Sequence, residues 1–344
     1  MSKATNPKEE LTKNPLSKIE SMFQPFENVG IQFRNRILAP PTIVDHADVD
    51  GKVTPALIKH YRTLARQGVG TIIVESAYVA KQGRGHINQL GISDEEHLEG
   101  LKSLVRGVKK EGASIGIRIS HAGAQTSESI CGEQPIGPSV LNFGRDFDIS
   151  REFDESDIEE IILNFIHASE RAQEVGMDFI EVNGTEQQLL DQCCCLKLNS
   201  RLDEYGFTKI ENRMKLAVEI INAIKNRKSV KIPISYYFSI FDKIEDGFKP
   251  KDLKSMLMLL ENVGVDIFHP LAIHAMNKCF ENKEPLCQWS AKYTEKPLII
   301  NGNIKSPQLL DEAAKMGCAD WFAMDQSIFE RLQWYQFLKR KINQ

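Results

Sequence analysis

Four times in this chain a glycine closes one stretch and a short, mostly apolar run opens within three residues: Gly68-Val69-Gly70, Gly176-Met177-Asp178, Gly264-Val265-Asp266 and Gly317-Cys318-Ala319-Asp320. Glycine enters the left-handed backbone region that a tight helix-to-strand turn requires, so each marks the same kind of junction. The runs that follow are short for helices and apolar enough to be covered on both faces, as parallel strands are.

Eight such runs are read along the sequence, at 36–39, 71–75, 114–120, 177–183, 229–235, 265–269, 297–300 and 319–323. Helical stretches separate them. Thr54-Pro55 is a cap followed by proline at the first helical position. Ser93 with Glu96 forms a capping box for a helix over 94–111, and Asp154 or Ser156 opens one toward Val175. Further helices are expected over 210–225, 250–263, 306–316 and 327–341. Strands alternating with helices at this spacing predict an α/β fold, a (β/α)8 TIM barrel, as one domain over 22–344 behind a polar N-terminal leader, 1–21. An excursion interrupts the pattern after strand three and an extended loop after strand four. The alternative, a doubly wound sheet, wants a glycine-rich turn after its first strand, where this chain has Pro40-Pro41-Thr42.

Charge narrows the function. Lys and Arg total 43 against 47 Asp and Glu, a net charge of -4, so nothing draws the surface as a whole to nucleic acid or an anionic membrane. No segment reaches the roughly 20 apolar residues of a membrane span. A cytoplasmic protein acting on a small-molecule substrate is expected. Seven cysteines, three of them consecutive at Cys193, Cys194 and Cys195, suit neither a disulfide framework nor a structural zinc site. That run reads as a thiolate or metal cluster, or as small side chains packed where a loop turns back. His269 and His274, five apart, form no recognised metal pair, and no metal is expected. Trp289, Trp321 and Trp334 are expected to pack helices onto the barrel.

A barrel places its chemistry just beyond the C-terminal ends of its strands. Those positions hold Pro40, Pro41 and Thr42, then Ser76, Arg118 and His121, then Asn183, Glu186 and Gln188. Gly302 and Asn303 follow strand seven, and Asp325 and Gln326 follow strand eight. Asn301-Gly302-Asn303 reads as half of a phosphate site, since glycine lets backbone N–H groups point at an anion.

Asn35-Arg36-Ile37, Ala39-Pro40-Pro41-Thr42, Asp50-Gly51-Lys52-Val53-Thr54-Pro55, Ser120-His121-Ala122-Gly123, Arg201-Leu202-Asp203-Glu204-Tyr205-Gly206 and Glu211-Asn212-Arg213 together carry a resemblance over nearly the whole chain. The chain resembles the Old Yellow Enzyme family of FMN-dependent NAD(P)H oxidoreductases, particularly its bacterial ene-reductase branch. The resemblance implies FMN over the barrel mouth, NAD(P)H as reductant, an activated alkene, quinone or related acceptor, and a homo-oligomer. It places the catalytic positions, ordinarily His, a second His or Asn, and Tyr, at Asn183, Glu186 and Gln188. It implies flavin contacts from Pro40, Pro41, Thr42, Ser76, Arg118, Gly302, Asn303 and Gln326. By the same alignment a barrel arginine facing the flavin falls at Pro233, and a Gly-Arg pair at the phosphate falls at Asp325 and Gln326. Arg118, where the family has Gln, becomes the candidate replacement cation; otherwise it forms a salt bridge with Glu186 or Glu75.

Two classes of function follow: an FMN-dependent oxidoreductase, or a barrel that has lost flavin and serves as a binding or regulatory protein. Between them lies an atypical flavoenzyme using Arg118, His121 and Asn183.

Overall fold

A computed structural model describes residues 21–281 and 283–329. The expected leader, apart from Ser21, lies outside these residues, as do Trp334 and most of the expected helix over 327–341.

Eight parallel strands form one sheet: β1 (Ile37–Ala39), β2 (Thr71–Tyr78), β3 (Ser114–Ser120), β4 (Phe179–Gly184), β5 (Ile234–Phe238), β6 (Ile267–Pro270), β7 (Ile299–Ile304) and β8 (Trp321–Met324). From β1 to β6 each strand pairs with the next, β7 pairs with β8, and β8 returns to pair with β1 through Phe322–Ile37 and Ala323–Leu38. Between β6 and β7 the circle closes through the bridges Phe268–Leu298 and Leu271–Asn301. This is the (β/α)8 barrel that the alternation predicts.

The helices on its outside are α1 (Pro55–Arg66), α2 (Leu98–Lys110), α3 (Glu155–Glu174), α4 (Lys215–Asn226), α5 (Pro250–Asn262) and α6 (Pro307–Lys315). Their starts follow capping chemistry. The Thr54 hydroxyl accepts from Leu57 N and Ser306 from Leu309 N, both at 3.2 Å, with proline next in each case. Asp154 and Asp157 form a reciprocal box ahead of α3. Before α2 the cap is Asp94, not Ser93: its carboxylate accepts from Glu96 N, and the His97 ring, not Glu96, accepts the Asp94 N–H. The helix expected over 210–225 is broken at Met214.

The fifth strand lies farther along than expected. Residues 229–233 precede it, and the Pro233 carbonyl accepts from Ile180 N at 3.1 Å, fixing Pro233 at the strand's entry. Val230 and Ile232 made the earlier segment look like a strand. The paired residues are instead Ile234 to Phe238, opposite Ile180 to Gly184.

Alternation along the strands divides the core. Ile117, Ile180, Ile234 and Phe322 face outward into the layer shared with the helices. Leu38, Ile73, Phe179, Ile267, Ile299, Trp321 and Ala323 face inward and fill the barrel's lower end. A hairpin, Phe26–Asn28 paired with Ile31–Phe33, closes that end. Phe33 lies edge-on to Trp321 with centroids 5.0 Å apart, and Phe26 stacks on Phe33 at 5.2 Å. Trp321 is therefore a barrel-interior residue and not a helix-packing one. Because the chain above Phe33 is already packed, Phe33→Ala is expected to leave an unfilled hole and cost roughly 3–5 kcal/mol in urea unfolding; a loss below about 1 kcal/mol would contradict the plug.

Candidate functional site

The C-terminal ends of β1 to β4 surround a cavity of about 520 Å³. Pro41, Thr42 and Ile43 come from the loop after β1, Ser76 from β2, Arg118 from β3, and Glu186 and Gln188 from the loop after β4. A register shift in β2 between Val74 and Ala77 gives Ser76 its place in the wall. Ala122 and Phe147 add apolar lining.

Beneath the cavity, inward positions of five strands form a polar layer. Arg118 Nε and Nη2 donate to Glu181 Oε1 at 2.9 and 2.8 Å. Glu181 Oε2 accepts from the Ser235 hydroxyl at 3.1 Å and lies 2.6 Å from His269 Nδ1. His269 Nε2 is 3.1 Å from the Asn301 amide. The Arg118 guanidinium lies over the Tyr237 ring, 3.5 Å from its centroid. Burial raises the Glu181 carboxyl, but His269 and Arg118 more than offset this and hold it down at about 2. Arg118 thus pairs mainly with Glu181 and secondarily with Glu186, at 3.5 Å. Glu75 faces elsewhere. Pro233, at the strand entry, is remote from this layer; the inward residues of β5 are Ser235 and Tyr237.

Glu186 and Gln188 line the cavity, and Asn183 lies behind them, outside its lining. Asn183 is buried, and its amide nitrogen is 3.1 Å from Gln188 Oε1, 3.3 Å from Glu186 Oε2 and 3.5 Å from Ser76 Oγ. Glu186 and Gln187 both adopt left-handed conformations, with φ of 63° and 55°. A buried ion pair holds this turn. Asp191 accepts from Gln187 N at 2.8 Å and pairs with Lys243 from the loop after β5. Neither residue stands out in the sequence, because 52 positions separate them.

The other expected ligand residues are not in this cavity's lining. Pro40 lies just before it. Gly302 is covered by the loop after β6: its carbonyl accepts from Ala275 N at 2.7 Å, and a Cβ on Gly302 would come within 2.4 Å of that nitrogen. The Asn303 amide lies 3.0 Å from His274 Nδ1. Gln326 borders a separate cleft with His46 and His60. Asp325 Oδ1 accepts from the Ser327 N–H at 3.0 Å and its hydroxyl at 2.5 Å.

His121 supports a loop, its Nδ1 accepting from Gly123 N at 3.0 Å; burial lowers its pKa to about 4. Cys193, Cys194 and Cys195 are buried, and burial pushes the Cys194 thiol up to about 11, a packed thiol and not a reactive thiolate. Among the described residues, no group of three or more His, Cys, Asp or Glu is placed to hold a metal, and no helix is long and apolar enough to cross a membrane.

Glu75 follows a different logic from Glu181. One carboxylate oxygen accepts from Val44 N at 3.2 Å, and the other is buried without a partner. Burial first, then Asp45, raises this carboxyl to about 7 despite the Val44 N–H.

Comparison with known proteins places these features in a family context. The model of the NADH:flavin oxidoreductase / NADH oxidase family matches residues 21–344. An NADH oxidase of Thermoanaerobacter brockii is 33% identical over 316 residues, covering 89% of this chain and 48% of that protein. An NADPH dehydrogenase of Geobacillus sp. (strain WCH70) is 36% identical over 247 residues, covering 72% of this chain and 71% of that protein. Among solved structures, a 2-naphthoyl-CoA reductase complex superposes with a TM-score of 0.80 at 23% identity, over 89% of this chain and 50% of that one. An Old Yellow Enzyme homologue from Zymomonas mobilis gives 0.76 at 20% identity, over 88% of each chain. The structural matches establish the barrel fold. This chain spans about half the length of the Thermoanaerobacter relative and of the naphthoyl-CoA reductase.

Two predictions follow from the buried carboxylates. Glu181 has a depressed pKa, so its contribution to stability is present above its ordinary value and fades as pH falls toward about 2. Glu181→Gln is expected to flatten that acid limb and, by stranding buried Arg118, to cost roughly 3–5 kcal/mol at neutral pH. Glu75 has a raised pKa, so stability is lost as pH rises through about 7. Glu75→Gln is therefore expected to be the more stable protein at pH 8, by about 3 kcal/mol, with no advantage at pH 4; urea midpoints across pH test both variants.

Proposed function

The chain belongs to the NADH:flavin oxidoreductase / NADH oxidase family, and from that premise we propose that it is a flavin-dependent oxidoreductase using NAD(P)H and a small organic acceptor. The observation that supports this reading most directly is the cavity at the strand ends, with a buried arginine beneath it and hydroxyl groups in its wall. Its size lies in the range of small-molecule sites.

The residues present fit a flavin ring better than they fit a whole FMN. Thr42 and Ser76 offer hydroxyls, and Arg118 offers positive charge at the edge not taken by Glu181. At the phosphate end, the chain's own loop covers Gly302, and Asp325 stands where the family has a glycine. Bound flavin would supply hydride transfer between nicotinamide and acceptor. The chain's part is to hold the reactants and to place charge. Asn183 donates to an acceptor's oxygen by giving up its bond to Glu186. Glu186 only accepts when ionised, so it directs a developing negative charge away from itself and toward Asn183. Gln188, already bonded to Asn183, sets that amide's orientation.

A second reading, a barrel that binds a small molecule without flavin, is favoured by the self-filled phosphate end. Visible spectra separate the two. The purified chain is incubated with excess flavin, desalted, and denatured to release bound chromophore. The oxidoreductase reading expects a retained flavin band that NADH or NADPH bleaches without oxygen and an electron-poor alkene or quinone restores. Failure to retain any flavin would overturn the oxidoreductase reading. In the first case, Asn183→Ala is expected to slow reoxidation by the acceptor roughly 100-fold while leaving reduction by NAD(P)H nearly unchanged.

A further inference from the structure

We infer that the mouth of this barrel selects flavin without its phosphate, so that riboflavin binds at least as tightly as FMN. The inference rests on the flavin reading above and specifies which form of flavin the chain takes.

A phosphorylated ligand in a (β/α)8 barrel commonly sets its phosphate on the loops after β7 and β8 and on the start of a short helix there. Three observations show this chain using that place for itself. First, Gly302 has φ of 146°, and the atoms a side chain there would strike are Ala275 N at 2.4 Å and Ala272 O at 2.7 Å. Ala272 N donates to the Asn301 carbonyl at 3.2 Å, so both ends of this contact are held. The glycine admits the loop after β6, which fills the space where a side chain would stand. Second, Asn303 is engaged with His274 from the same loop. Third, the Asp325 carboxylate takes the Ser327 N–H and hydroxyl, donors that a phosphate would otherwise attract.

Charge points the same way. Residues 301–304 and 324–328 contain no Lys or Arg, and their one charged side chain is Asp325. The next cation along the chain, Lys305, is exposed, and Lys59 lines the separate cleft that Gln326 borders. A phosphate is close to dianionic at neutral pH, so a carboxylate beside it opposes binding. The ring end carries no such penalty: Thr42, Ser76 and Arg118 border open space. Ring and ribityl chain can therefore be held while a phosphate faces the Asp325 carboxylate.

The test is a pair of titrations that follow quenching of flavin fluorescence by the full chain, one with riboflavin and one with FMN. The expected result is a riboflavin Kd equal to or below that of FMN, with the FMN value improving as salt screens the repulsion. Asp325→Asn keeps a capping oxygen but removes the charge. It is expected to tighten FMN binding severalfold and leave riboflavin binding unchanged. FMN binding more than about tenfold tighter than riboflavin, a difference of about 1.4 kcal/mol, would overturn the inference and leave the flavoenzyme reading standing. An Asp325→Asn variant that shifts both ligands equally would also overturn it. If neither flavin binds, both readings fall together.

Discussion

The ion pair between Arg118 and Glu181 is the constraint around which the inside of this barrel is arranged. Moving either charge from water into a packed interior costs several kcal/mol, and the attraction between them repays this only when their other hydrogen-bonding groups are also satisfied. Here the cost is shared among five strands. β3 contributes the arginine and β4 the carboxylate, while β5 brings Ser235 and Tyr237, β6 His269, and β7 Asn301. Neighbouring strands must keep their register for these atoms to meet, because a shift of one residue would turn the polar side chains into the outer apolar layer. The aromatic plug at the barrel's lower end lies below this polar layer, and the cavity lies above it.

The pair also determines what the cavity offers. Glu181 holds two of the guanidinium's donors from below, so Arg118 cannot swing freely toward a ligand. Its remaining edge meets Glu186, at a distance long enough to make that contact secondary. Asn183 lies between Glu186 and Gln188, and the left-handed turn at Glu186 and Gln187 is secured by the Asp191–Lys243 pair. The mouth therefore combines fixed positive charge, the amide side chains of Gln125 and Gln188, and an exposed carboxylate. Such a set favours a ligand that accepts hydrogen bonds at one edge and carries little negative charge elsewhere.

The barrel itself was legible in the sequence because its signals are local. Glycine at the turns into β2, β4, β6 and β8, caps at Thr54 and Asp154, and apolar runs of strand length each act within a few residues. Where local signals competed, they misled. Val230 and Ile232 suggested a strand that begins only at Ile234, and the family alignment put at Pro233 a flavin-facing position where the inward residues are Ser235 and Tyr237. Ser93 and Glu96 matched a capping box that Asp94 and His97 form in the structure. Trp321 looked like a helix-packing residue because, although Ile31 to Asn35 has the look of a small hairpin edge, no local signal ties that hairpin to the barrel's lower end. The polar layer was harder still to see: Arg118 and Glu181 are 63 residues apart, and Glu181 and His269 are 88 apart. Only the closed sheet brings them together.

Gly302 illustrates why a motif read at one strand end does not settle a site. Glycine after a barrel strand permits two different close approaches, by a ligand's anion or by another part of the backbone, and the sequence is the same for both. The decision lies about 30 residues away, in the loop after β6, whose Ala275 N–H already occupies the Gly302 carbonyl. The same holds for Asp325, whose carboxylate satisfies local donors instead of leaving them for a guest. A barrel can therefore keep the strands and turns that identify its family while closing one half of the inherited site with its own atoms. Under the flavin reading proposed above, specificity then rests on the half that stays open, between Thr42, Ser76 and Arg118.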